Sequence, residues 1–93
     1  MSKKNIQKLV TLYQSGNKDA TIKLLGKFDN LLKNVASKYS KKISPMLHND
    51  LRNHAIVTFL QLTKNYDSMR GVDFLGYIKN HFEHFFTDTL EEL

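Results

Sequence analysis

The chain contains no cysteine, a single proline and only four glycines among 93 residues. Without thiols there is neither a disulfide nor a thiolate–metal site, and a reducing interior such as the cytoplasm is the expected setting. Proline and glycine are the two residues that break helices, so their scarcity suits a helical bundle. No apolar run is long enough for a membrane span, and no leader pattern follows Met1, so no membrane partner is expected. Period-two alternation never persists, which argues against strands. There is no internal repeat and no low-complexity tract, and a chain of this length makes one domain, over 1–93.

Acidic residues are scarce in the first half. Residues 1–42 hold ten lysines against two aspartates, a net charge of +8, while residues 43–93 hold four basic against seven acidic residues, a net charge of −3. Such a layout suits a first half facing nucleic acid and a second half facing a basic protein surface. The plainer alternative is lysines scattered over exposed helix faces, where they confer solubility.

Constellations for chemistry are also missing. No serine, cysteine or carboxylate has a recognisable catalytic partner, and Gly16 and Gly26 are isolated rather than grouped in a phosphate-binding loop. Neither enzyme activity nor a cofactor is expected. His81 and His84 stand three residues apart, close enough on a helix to share a metal, but zinc sites need three or four ligands in fixed geometry. Glu83 lies off their face and His48 and His54 fall on other elements, so no metal site is expected.

What is present is helical periodicity. Ile6, Leu9, Val10 and Tyr13 predict a first helix over about 5–14, ended by Ser15-Gly16-Asn17, with Ser2 available to cap an earlier start. Ile22, Leu25, Phe28, Leu32, Val35 and Tyr39 form one stripe, broadened by Leu24, Leu31 and Ala36, and predict a second helix over about 18–40. Gly26 and Asn30 weaken that run and make the neighbourhood of Asp29 the expected place for a kink. Its opposite face carries Lys23, Lys27, Lys33, Lys38 and Lys41, which could touch DNA phosphates, but without interleaved arginines or exposed aromatics a solvated face is the favoured expectation. A linker over 41–49 follows, in which Pro45 pushes Ser44 out of helical angles and Met46 and Leu47 are expected to tuck onto the core.

The rest of the chain is organised around 50–77. Asn49 and Asp50 can accept hydrogen bonds from free N–H groups at a helix start. Leu51, Ala55, Phe59 and Leu62 share one stripe, Ile56 and Leu60 widen it, and Tyr66 closes it, predicting a third helix over about 50–66. Gly71 can take the left-handed conformation that redirects a chain. Asp73 can cap the next helix, with Val72 and Tyr77 as a hydrophobic staple. That fourth helix, over about 74–90, is dominated by Phe74, Tyr77, Ile78, Phe82, Phe85 and Phe86, and Leu90 and Leu93 extend its stripe. The expected fold is therefore all-α, a bundle of about four helices.

Asp50-Leu51-Arg52-Asn53-His54, then Tyr66-Asp67, Arg70-Gly71 and Phe74-x-x-Tyr77 follow one another without a gap. This order resembles region 2 of bacterial RNA polymerase sigma factors, which run Asp-Leu-x-Gln-Glu, an amphipathic helix, Phe-Asp, Arg-Gly and Phe-x-x-Tyr. The stretch 9–32 is similar to the short helix, polar turn and long helix that open many small sigma factors, so the resemblance covers nearly the whole chain. It implies a module that binds core RNA polymerase through the clamp coiled coil of the largest subunit and contacts the promoter −10 element. By position, the implied docking residues are Asp50, Arg52, Asn53, His54 and Val57. The implied DNA-binding residues are Arg70, Phe74, Tyr77, Lys79, Asn80 and His81. Aromatic faces of this region stack on unpaired bases while cations hold phosphates.

The sequence departs from the family pattern at several points. Asn53 and His54 replace the usual Gln and Glu, the family's aromatic pair falls on Asn80 and His81, and a usual Arg falls on Glu83. Asp88, Glu91 and Glu92 make the end of the last helix acidic, which repels a phosphate backbone. The chain carries nothing like the family's −35-reading domain. It is therefore expected to be a fragment of a longer sigma factor, or one subunit of a two-part sigma factor. Its further expected partners are then a second sigma subunit or an anti-sigma factor. The alternative reading is a small helical protein–protein adaptor without DNA contact. A stand-alone helix-turn-helix repressor is disfavoured, because no sharp turn leads into an arginine- or glutamine-rich reading helix.

Overall fold

A computed structural model describes residues 3–90, with side chains from Asn5 onward. Its α-helices, in chain order, are α1 Lys3–Gln14, α2 Lys18–Lys27, α3 Asp29–Lys42, α4 His48–Asn65 and α5 Phe74–Asp88, with 3-10 turns at Pro45–Leu47 and Ser68–Arg70. The described residues contain no strand. Among them, the expected second helix is two helices.

Phe28 makes that division. Its backbone, at φ −104° and ψ 11°, ends α2 and starts α3 without any side-chain cap. The ring is driven into the core, 4.9 Å from Phe59 and 5.8 Å from Phe74 between centroids. Gly26, just upstream, lowers the cost of leaving the helix there. The break also rotates the buried face. On α2, Ala20 and Leu24 are buried, whereas Ile22, expected inside, is 70% exposed. A stripe drawn through one continuous helix loses phase once the axis turns, and α2 packs back on α1 while α3 packs along α4.

The remaining boundaries follow local chemistry. Gly16 and Gly71 take the left-handed conformation, at φ 96° and φ 82°, and end their elements as expected. Asn17 and Asp73 cap α2 and α5 by accepting from the amides of Ala20 and Gly76. Asn49 and Asp50 do not cap α4. The 3-10 turn runs straight into it, so both already lie in its first turn, and the side-chain cap is Ser44, which accepts from the Met46 amide of the 3-10 turn. Met46 points outward at 92% exposure, and of the linker pair only Leu47 packs on the core. Val72 is about half exposed. The readings placed on Ser2, Glu91, Glu92 and Leu93 lie outside the described residues.

The core centres on Phe59, with Phe28 and Phe74 against it. Phe74 continues into Tyr66 at 5.3 Å, and Tyr66 into Tyr77 at 5.1 Å. Toward the other end of α5, Phe86 meets Tyr39 at 5.3 Å and His54 at 5.0 Å. This aromatic row, with Leu32, Val35, Leu51, Leu62 and Ile78, packs α3, α4 and α5 together. The end of α4 is secured separately, by side chains from its neighbours. Gln14 donates to the carbonyls of Thr63 and Tyr66 at 3.0 and 2.7 Å, and Tyr77 donates to that of Leu62 at 3.0 Å. Helix ends leave carbonyls without intrahelical donors, and these contacts satisfy them.

Candidate functional site

Two of the open grooves among the described residues border α4. The first lies along its N-terminal half and is lined by Ile43, Leu47, Asp50, Leu51, Asn53, His54, Val57 and Leu90. The α4 helix runs with Leu51 and Ala55 inward, so Asp50, Asn53 and Val57 necessarily turn outward onto one stripe. Four of the five expected docking residues therefore meet in one place. The fifth, Arg52, stands apart: it pairs with Asp29 of α3 at 3.0 Å. Asp50 makes no ion pair with another described residue, and its carboxylate stays available at the rim.

His54 is half-buried rather than free. Its Nε2 lies 3.2 Å from the Phe86 carbonyl and 2.8 Å from the Thr89 hydroxyl. With hydrogen on Nε2 the ring donates toward the Phe86 carbonyl, and with Nε2 bare it accepts from the Thr89 hydroxyl, so either tautomer has a partner here. The ring thus ties α4 to the last turn of α5 from the floor of the groove. Ile43 and Leu90, which sequence periodicity does not assign to this face, supply apolar walls. The only signal for Ile43 is a β-branched side chain beside a proline linker, which has no helical phase to place it.

The second groove is lined by Leu62, Asn65, Tyr66, Asp67, Arg70, Val72, Tyr77, Asn80, His81, His84 and Phe85. Four of the six residues expected to touch DNA, Arg70, Tyr77, Asn80 and His81, converge there. Tyr77 is half-buried, with its ring 5.1 Å from that of His81. Burial holds its phenol above the ordinary range. Lys79 is exposed but does not line the groove.

Phase on α5 corrects one expectation. Phe74 is 2% exposed, wedged among Phe28, Phe59 and Tyr66. A base has no access to its ring, so Phe74 builds the core and leaves the exposed aromatic surface to Tyr77. Phe82 and Phe86 are likewise core, and Phe85 is half-buried.

The loop from α4 to α5, which forms one wall of the second groove, is held by its own hydrogen bonds. Asp67 accepts from the Met69 amide at 2.9 Å, and Tyr66 donates to the Val72 carbonyl at 2.6 Å. Burial, with Asp73 and Asp67 adding to it, raises the Tyr66 pKa. Arg70 projects from this loop into water, 3.9 Å from Asp67. No group of three or more His, Cys, Asp or Glu residues capable of holding a metal occurs among the described residues. His84 instead faces Asp88 at 3.2 Å. No helix among the described residues is long and apolar enough to cross a membrane.

No protein-family model, curated protein or solved structure matches the chain.

Proposed function

We propose that this protein is a sigma region 2-like module that docks on the clamp coiled coil of core RNA polymerase through the groove on α4. The supporting observation is convergence: Asp50, Asn53, His54 and Val57, picked by motif order, line one apolar-walled groove. A groove with polar groups at its rim and aliphatic walls suits an amphipathic helix, which sets its apolar side chains inward. The second groove is the proposed contact for the promoter −10 element, with Tyr77 stacking on an unpaired base and Arg70 on phosphate.

Purified protein is expected to be retained by immobilised core polymerase, and Asp50→Arg with Asn53→Ala to reduce that retention. Undiminished retention of the double variant removes these residues from the interface. For promoter contact, Tyr77→Ala is expected to lower the signal of an unpaired-base probe in a reconstituted open complex. An unchanged signal separates polymerase binding from DNA capture.

One observation favours a second reading, an adaptor without promoter contact. Phe74 is sealed in the core, and α5 exposes two acidic side chains, Glu83 toward Lys38 of α3 and Asp88 at its end. Crosslinking of α5 to the non-template strand would exclude that reading.

A further inference from the structure

A third surface belongs to neither groove. Asn30, Lys33, Asn34, Ser37, Lys38 and Lys41 fall at helical spacing on the outer face of α3, and all but the half-buried Ser37 are exposed. They extend over about 16 Å of helix axis. Every one of these side chains can donate a hydrogen bond, and none is apolar or acidic. Asp29, at the head of the row, is already engaged by Lys33 at 2.8 Å and Arg52 at 3.0 Å. That cluster of two cations and one anion still leaves a positive charge.

Lys38 carries the most telling contact. Its ammonium reaches across to Glu83 of α5 at 2.8 Å, with both side chains about half exposed. An exposed pair of this kind contributes little to stability. A carboxylate oxygen held against the lysine row presents the same chemistry as a phosphate oxygen.

We propose that the outer face of α3 docks on the phosphate backbone of duplex DNA without reading sequence, and that Glu83 stands in for a phosphate on Lys38 when DNA is absent. Protein interfaces are built on an apolar centre, which this face lacks. Unpaired strands are gripped by stacking on aromatic side chains. The nearest ring, Tyr39, is instead half-buried against Phe86 beneath the ammonium groups of Lys38 and Lys42. Lysine, asparagine and serine are typical donors to backbone phosphates, and they carry no base readout from there. The inference does not depend on polymerase binding and is tested without it.

The test is fluorescence anisotropy of a labelled duplex of arbitrary sequence, titrated with the full chain over a salt series. Lys33→Gln with Lys38→Gln and Lys41→Gln is compared with Lys8→Gln, Lys18→Gln and Lys23→Gln, which removes the same charge from α1 and α2. The α3 triple is expected to bind at least about tenfold more weakly than the α1–α2 triple. Its log K against log salt slope is expected to fall by about 0.9 per lost contact, or about 2.7 in all. Equal weakening by both triples, or no binding by the parent chain at about 50 mM salt, overturns the docking face. Glu83→Gln is expected to tighten binding more than Asp88→Asn, which removes an equal charge elsewhere on α5. If the two tighten it equally, Glu83 is not a phosphate surrogate.

Discussion

Asp29 lies between Lys33 on its own helix and Arg52 on α4. The hydrogen bond from Lys33 lowers its pKa below the ordinary 3.8, the charges of Lys33 and Arg52 add to this, and partial desolvation opposes it. Because the folded value lies below the unfolded one, the stability from this carboxylate is present above the unfolded pKa. It is lost as pH falls through the folded pKa. An NMR titration of the Asp29 carboxyl is expected to give a midpoint below 3.8 that moves back up in Lys33→Gln. An identical midpoint in that variant would show that the lysine is not the cause. Gly26 offers a second local test. It lies within α2, its φ is not positive, and a Cβ there meets nothing within 4 Å. Gly26→Ala is expected to stabilise the chain by about 0.5–1 kcal/mol in urea unfolding. A loss of stability would mean that the α2–α3 break needs the glycine itself.

At the scale of elements, α4 is the helix whose two ends matter most. Its C-terminal carbonyls are held by Gln14 and Tyr77, from α1 and α5. Gln14→Ala removes the side-chain donor to the Tyr66 carbonyl and leaves Thr63 only the Tyr66 amide, and is expected to cost about 0.5–1.5 kcal/mol, with faster amide exchange in the α4–α5 loop. Unchanged exchange there would assign those carbonyls to solvent. None of this is legible in the sequence, because Gln14 lies 49 and 52 residues from its acceptors and no local pattern links them. Breaks with a local cause are legible: Gly16, Gly71 and the Asp73 cap need only their own φ or side chain. The split at Phe28 is half legible. Gly26 and Asn30 mark weakness, but only packing between Phe59 and Phe74 decides that the chain turns and exposes Ile22. Asn49 and Asp50 show the same limit, since a 3-10 turn led by Ser44 moves the helix start upstream of them.

For the whole molecule, burial follows period wherever a helix stays straight, which is why Leu51, Ala55, Phe59 and Leu62 are legible as core. Phase also places Asp50, Asn53 and Val57 on the opposite, exposed face. What phase leaves out is the company a face keeps: Ile43 comes to the α4 groove from the end of α3 and Leu90 from beyond α5, and the His54 tie to Phe86 depends on how α5 crosses. Phe74 escapes a motif-based reading because a motif position carries no burial, and only the meeting of three helices encloses its ring. The most direct measurement is calorimetric titration of an isolated clamp coiled coil with the parent chain and with Asp50→Arg, Asn53→Ala, circular dichroism confirming that both are folded. Saturable binding by the parent chain is expected, with a Kd raised at least about tenfold, or ~1.4 kcal/mol, in the double variant. Absence of binding by the folded parent chain, or an equal Kd for both, contradicts docking through the α4 groove.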